Sequence, residues 1–335
     1  MAKKIGVIGA GGWGTALAVL LSENGNQVAL YEHFPEYADK LRKDRENKTF
    51  LPGVKIPAGI KITSSLSEAL KGSGIILFAV PSKHLPGVLK LIDERLLLKG
   101  AVLVSAIKGI DRTTLKRMSQ LIFARFGKTF EVAVLSGPSH AEEVGRKTPT
   151  AVVIAAKKIK TAEALQKVFS GPYFRVYASD DVIGVELGGS VKNVIALAKG
   201  VLDGMGLGDN TTAALMTRGL AEMKRLGRKL GARAETLNGL SGTGDLIVTC
   251  MSRHSRNRAV GERLGKGEKL PHILASMKMV AEGVTTADSC YRLAKKLGVE
   301  MPIARETYRI LFKAASPAGA VKALMGRKLK REEVQ

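Results

Sequence analysis

Several short stretches of this 335-residue chain carry residue types that do chemistry when folded together. Gly9-Ala10-Gly11-Gly12-Trp13-Gly14 follows the apolar run Ile5-Gly6-Val7-Ile8 and leads straight into Thr15-Ala16-Leu17-Ala18-Val19-Leu20-Leu21. Strand, tight turn and helix in that order build a pyrophosphate site. Gly9 permits the turn, Gly11 lets the backbone approach the phosphates, and Gly14 lets helix and strand pack closely. The helix start adds unpaired N–H groups and a positive dipole end. A second strand ends at Glu32, where a carboxylate would hold a ribose hydroxyl.

Farther along, Lys108 follows a strand-like run and offers a compact charge for a phosphate or a polarised carbonyl. His140, in Ser136-Gly137-Pro138-Ser139-His140, is of a type that serves as a general acid or base, but nothing nearby in the sequence points to that chemistry and it reads as a peripheral or packing residue. Lys192 and Asn193 sit among small and apolar residues of a helical run, where burial would lower the lysine pKa towards that of a general acid/base. Ser241-Gly242-Thr243-Gly244-Asp245 is a tight turn presenting a carboxylate. Ser252-Arg253-His254-Ser255-Arg256-Asn257-Arg258 suits a phosphate clamp. Each has a plainer reading: a snorkelling lysine, an Asx-turn aspartate, a basic helix start capped by Ser255. Together they point to a small phosphorylated substrate held between two domains against a nicotinamide.

The elements that must carry these groups alternate in the first half. Strands are expected at 4–9, 27–31, 75–80, 101–105, 131–135, 150–155 and 174–177. Helices are expected at 14–23, 35–44, 84–95, 112–125 and 161–169. Such βα alternation indicates an α/β fold, an N-terminal Rossmann-like, doubly wound and mostly parallel sheet. From Val182 onward the pattern is almost entirely helical. The expected division is a dinucleotide-binding domain at 1–179 and an all-helical substrate and catalytic domain at 180–335.

Composition narrows the function class. No apolar stretch reaches the roughly 18 residues of a membrane helix, so an integral membrane protein is not expected. Lys3-Lys4 before an apolar run imitates a signal peptide, but the glycines cut that run short and the next strand continues the α/β pattern. Cys250 and Cys290 form neither a disulfide framework nor a metal-ligand spacing, which fits a cytoplasmic protein without a metal. The formal net charge of +23 favours anionic partners. Its lysines and arginines are spread from Lys40-Leu41-Arg42-Lys43 to the tail Arg327-Lys328-Leu329-Lys330-Arg331, without a stacking platform, so no specific nucleic acid is expected.

These residues resemble the bacterial-type NAD(P)-dependent glycerol-3-phosphate dehydrogenases over essentially the whole chain. Besides the glycine turn, the resemblance rests on Phe50-Leu51-Pro52-Gly53, Lys108-Gly109, Ser136-Gly137-Pro138-Ser139 and Gly184-Val185-Glu186-Leu187-Gly188-Gly189 with Lys192-Asn193-Val194. Asp203-Gly204-Met205-Gly206-Leu207-Gly208-Asp209-Asn210, Thr217-Arg218-Gly219-Leu220-Ala221-Glu222-Met223, Asp245-Leu246, Ser255-Arg256-Asn257-Arg258, Val280-Ala281-Glu282-Gly283 and Glu300-Met301-Pro302-Ile303 continue it. It implies reversible reduction of dihydroxyacetone phosphate to sn-glycerol 3-phosphate for phospholipid synthesis, with NAD(H) or NADP(H) as cofactor. It implies Lys192 as acid/base and Asp245 as its support. Lys108, Asn193, Gly137 and Ser139 are implied as substrate contacts. Ser255, Arg256 and Asn257 would form the phosphate end. The implied cofactor contacts are Gly9, Gly11, Gly12, Trp13, Gly14, His33, Lys108, Ala141, Arg256, Val280 and Glu282.

Four positions depart from the family pattern: Gly12 for Ser, His140 for Phe, Ile107 for Thr, and Thr243 for an apolar residue. Glu32 favours NADH, while His33 with Lys40, Arg42 and Lys43 would accept a 2′-phosphate, so both cofactors stay open. A homodimer is compatible with a sequence that does not itself set the oligomeric state. Two other readings remain. One is a related 3-hydroxyacid or phosphogluconate-type dehydrogenase. The other is a dinucleotide-sensing, nucleic-acid-binding regulator.

Overall fold

A computed structural model describes residues 2–127, 129–277, 279–329 and 331–332; Lys330 of the basic tail lies outside them. The chain divides into two compact units, Met1–Ile107 with Met118–Val182, and Lys108–Arg117 with Ile183–Gln335.

The first unit runs β1 (Lys4–Ile8), α1 (Gly12–Glu23), β2 (Gln27–Tyr31), α2 (Pro35–Asp44), β3 (Glu46–Asn47), β4 (Leu51–Lys55), β5 (Lys61–Thr63), α3 (Leu66–Leu70), β6 (Ile75–Phe78), α4 (Leu85–Leu91), β7 (Val102–Ser105), α5 (Met118–Phe126), β8 (Glu131–Ser136), α6 (Ala141–Gly145), β9 (Thr150–Ala156), α7 (Ile159–Phe169) and β10 (Phe174–Ser179). Eight strands form one sheet in the order β10-β9-β8-β7-β6-β1-β2-β5. Alternate residues feed opposite faces, as the pleat requires. Ile75 and Leu77 join a core with Leu17 of α1 and Phe169 of α7, while Ile76 and Phe78 join another with Leu85 of α4 and Ile122 of α5. Helices cover both faces, as in a doubly wound fold. The chain leaves β1 towards β2 on one side and returns through β6 on the other. This reversal is the topological switch point outside which dinucleotides bind.

Some local details of the first unit go beyond the expected elements or differ from them. The β8–β9 pair is antiparallel. The connecting α6 has five residues, about 7.5 Å of helix, too little to carry the chain back along a strand of about 20 Å. The helix expected at 112–125 starts only at Met118. Before it, the Asp111 carboxylate accepts Thr114 N–H and Oγ–H at 2.6 Å, and Leu115 takes a left-handed φ of 60°, which a helix cannot contain. The β3–β4 ribbon, which runs through Pro52 and Gly53, was not among the expected elements.

The second unit is helical among the described residues: α8 (Val182–Gly204), α9 (Asp209–Lys229), α10 (Ala234–Asn238), α11 (Asp245–Met251), α12 (Arg256–Gly265), α13 (Leu270–Ala275), α14 (Glu282–Leu297), α15 (Pro302–Phe312) and α16 (Pro317–Met325). Its core gathers Leu187, Val191, Val194 and Ile195 of α8 with Leu246 of α11, Val260 of α12 and Ala287 of α14. Glu222 of α9 closes the start of α15. Its carboxylate accepts Ile303 N–H at 2.6 Å and Ala304 N–H at 3.1 Å, next to Pro302, which has no N–H to offer. Burial pushes this carboxyl up to about 7, and the two N–H donors oppose that shift.

Residues 108–117 interrupt the 1–179 span expected for the first domain and pack in the second unit. The hydroxyls of Ser190 and Ser289 donate to the carbonyls of Gly109 and Ile110 at 3.2 and 3.1 Å. Arg112 pairs with Asp288 at 2.8 Å, and Arg117 with the fully buried Glu186 at 2.6 Å.

Gly14 is the tightest point of the first unit, since a Cβ there would overlap the Gly9 carbonyl oxygen. Gly14→Ala should therefore lower stability by about 1–3 kcal/mol through overpacking, read as a lower urea midpoint with an unchanged slope.

Candidate active site

In the first unit the glycine turn is built as its spacing implies. Gly9 has φ +111°, and a Cβ there would crowd Val80 Cγ1 at 2.8 Å. A Cβ on Gly11 would meet nothing within 4 Å, so its face is open to a ligand. Gly11 stands at the N-cap of α1 with no side-chain cap, which leaves the first N–H groups of a twelve-residue helix available. Trp13 Nε1 is buried and has no hydrogen-bond partner. An open backbone face, uncapped N–H donors and an orphaned indole donor fit a dinucleotide pyrophosphate.

Gly12 is closely packed. A Cβ there would stand 2.5 Å from the Phe50 carbonyl oxygen and 3.7 Å from Ala141 Cβ, so this turn has no room for a hydroxymethyl group. Beyond β2, Glu32 is buried and accepts Phe34 N–H at 3.1 Å, and burial raises its pKa. His33 Nδ1 lies 3.2 Å from Tyr31 Oη. Arg42 is engaged by Asp39 and by the Ile62 carbonyl. Beyond β8, Gly137 takes φ +151° against Val152, and Ser139 Oγ donates to Gly137 O at 2.9 Å. His140 stands at the N-cap of α6, where its carbonyl accepts the N–H groups of Glu143 and Val144.

In the second unit, four polar side chains from three segments meet inside the protein. Lys192, in the middle of α8, is 4% exposed, and Asp245, the first residue of α11, is 1% exposed. Lys192 Nζ donates to Asp245 Oδ1, and to Thr249 Oγ1 at 2.5 Å. Lys108 Nζ donates to the other carboxylate oxygen, Asp245 Oδ2, at 2.8 Å. Gly188 makes this possible: one turn before Lys192, its missing side chain lets the 240–244 turn lie directly on α8. The Thr243 hydroxyl bonds the Leu237 carbonyl at 3.1 Å and so serves the turn itself. Burial pulls the Lys192 ammonium down to about 8. Asp245 opposes that shift, and the nearby Lys108 charge adds to it.

Beside the lysine, Asn193 Oδ1 accepts Asn257 Nδ2 at 2.9 Å, and Asn257 Oδ1 accepts Gly283 N–H at 2.8 Å. Arg256 donates to Val280 O at 3.0 Å, one residue before the Ala281 cap of α14 and two before its first residue, Glu282. Ser255 caps α12, accepting Arg258 N–H at 3.2 Å. The second unit thus joins Lys108, Lys192 and Asp245 in one cluster, pairs Asn193 with Asn257, and pairs Arg256 with Val280. Thr249 was not singled out in the sequence, although its position four residues after Asp245 puts both on one helical face.

Residues 4–162 match the family model for the NAD-dependent glycerol-3-phosphate dehydrogenase N-terminus, and residues 181–322 the model for its C-terminus. The chain belongs to this family. It is 51% identical to the glycerol-3-phosphate dehydrogenase [NAD(P)+] of Moorella thermoacetica, over 98% of this chain and 97% of that protein. It is 49% identical to that of Geobacter metallireducens, over 99% of both. The crystal structure of glycerol-3-phosphate dehydrogenase from Coxiella burnetii superposes with a TM-score of 0.93 at 37% identity, covering 97% of this chain and 99% of that one. As a member of this family the chain is an oxidoreductase. Among the described residues no helix is long and apolar enough to cross a membrane.

Thr249→Val removes an acceptor that favours the charged form of Lys192, at a cost of about 1–3 kcal/mol. The lysine should then titrate below about 8, seen as a shift of the reduction rate's alkaline limb to lower pH.

Proposed function

We propose that this chain catalyses the reversible reduction of dihydroxyacetone phosphate to sn-glycerol 3-phosphate, with Lys192 as the acid/base. The observation that carries the role of Lys192 is a buried ammonium, brought down to about 8 and held between Asp245 and Thr249. Family membership supports the substrate and the use of NAD(H) or NADP(H). The glycine turn with Gly9, Gly11, Gly12, Trp13 and Gly14 would hold the cofactor pyrophosphate, and Glu32 and His33 its ribose. When bound, the nicotinamide supplies the hydride to the carbonyl carbon, or takes it up in the reverse direction.

In the reducing direction the Lys192 ammonium gives its proton to the carbonyl oxygen, and the resulting hydroxyl is that of glycerol 3-phosphate. In the oxidising direction the neutral amine takes that proton back. Asp245 keeps the amine oriented and offsets its charge, and Lys108 holds the other carboxylate oxygen in place. Arg256, with Ser255 and Asn257, would receive the phosphate, a dianion suited to a guanidinium fork, and Asn193 would help place the substrate. Gly137 and Ser139 would contact the substrate, and Ala141, Val280 and Glu282 the cofactor. The same reading puts the protein in the cytoplasm, supported by two buried free thiols. It takes the protein to act as a homodimer on small molecules rather than nucleic acid; sedimentation would then report twice the 35.7 kDa chain mass.

Absorbance of the nicotinamide band during incubation with dihydroxyacetone phosphate, with NADH and NADPH in parallel, tests reaction and cofactor together. No oxidation of either, with cofactor binding intact, would reject the substrate. Lys192→Ala should lower turnover by about 10²–10⁴-fold while cofactor affinity stays near that of the parent protein; equal loss of both would make Lys192 structural.

The pH dependence has a definite sign. Reduction needs the protonated lysine and should decline as pH rises through about 8, whereas oxidation needs the neutral amine and should rise through the same pH. Rate profiles of both directions that share one sign would contradict the assignment.

A further inference from the structure

Asp203 lies at the end of α8, about three helical turns beyond Lys192. Its Oδ2 accepts Arg258 Nε of α12 at 2.6 Å, and its Oδ1 accepts Lys199 Nζ from one turn earlier on α8. The side chains of Lys199, Asp203 and Arg258 are 9%, 16% and 26% exposed, so this pairing is screened far less than a surface bridge. One carboxylate thus ties two cations on two helices.

The same helices touch backbone to backbone. A Cβ on Gly200 or Gly204 of α8 would overlap the Arg258 or Glu262 carbonyl oxygen. One on Gly261 or Gly265 of α12 would overlap that of Leu197 or Val201. This glycine seam sets a close spacing of α8 and α12, Val260 and Leu264 of α12 share a core with Leu197 and Val201 of α8, and polar contacts tie the two helices as well. The Asp203–Arg258 bond is one such contact, and the Asn193–Asn257 bond, one residue from Lys192, is another.

We propose that Asp203, through Lys199 and Arg258, is a positioning residue that fixes the first turn of α12 relative to Lys192, and with it the span between the proton donor and the substrate's phosphate. The inference rests on the reading of Arg256 and Asn257 as the phosphate end. Charge and position make opposite demands on it. Removing a negative charge near a dianion site would, by Coulomb attraction alone, tighten phosphate binding, whereas loss of positioning weakens it.

The experiment compares kcat/KM for dihydroxyacetone phosphate with that for dihydroxyacetone, which lacks the phosphate, in the full-length enzyme. Asp203→Asn should lower this ratio by about tenfold, through KM for the phosphorylated substrate, and leave the dihydroxyacetone rate within about twofold. Arg258→Lys keeps the charge but loses the Nε bond. It should lower the ratio in the same sense, and it carries the test if Asp203→Asn yields no folded protein. An unchanged or raised ratio, or a parallel fall for both substrates, overturns the proposal. Arg256→Ala separates the two readings. If it leaves the ratio unchanged, the phosphate-end assignment itself fails. If it lowers the ratio while Asp203→Asn does not, only the positioning role of Asp203 fails.

Discussion

A lysine ammonium inside a helix core is the constraint on which the second unit depends. Lys192 is buried on a helix of mostly small and apolar residues, and an isolated charge there would be very costly. The charge is sustained because Asp245 and Thr249 accept from it and because Lys108 satisfies the other side of Asp245. Removing one partner of such a group leaves the other buried and unpaired, so the cluster holds its geometry as a unit. It also leaves Lys192 within reach of both protonation states near neutral pH, which a surface lysine lacks.

Glycines make that cluster possible by subtraction. Gly188 admits the 240–244 turn onto α8, and Gly200 and Gly204 admit α12. In the first unit Gly14 admits α1 onto the Gly9 carbonyl, and Gly12 leaves space that the Phe50 carbonyl fills. Small residues let backbones approach, and approach lets the few polar side chains reach one another. The start of α1 stays uncapped by any side chain.

Much was legible in local sequence. The Gly9–Gly14 spacing, the alternation of short apolar runs and helical periods, and the switch to helix after Val182 each report short-range physics: allowed backbone angles, the strand pleat and the 3.6-residue period. The expected α/β sheet followed by a helical unit is what the structure contains. Where local signals competed, the reading slipped. Asp111 and Leu115 break a helix that periodicity favoured, and β4 forms through Pro52 and Gly53 because it has a partner to pair with.

By itself the sequence determined the elements, the phosphate turn and the residue types able to move a proton or grip an anion. Only tertiary structure decided that Lys108, 137 residues before Asp245, shares its carboxylate, and that residues 108–117 pack with the helical unit. It also decided that Thr249 completes the shell around Lys192 and that Asp203 joins α8 to α12. Periodicity and turn chemistry act over a few residues. A buried ion pair is chosen by which distant backbones can come close, and in this chain that was settled by where side chains are absent.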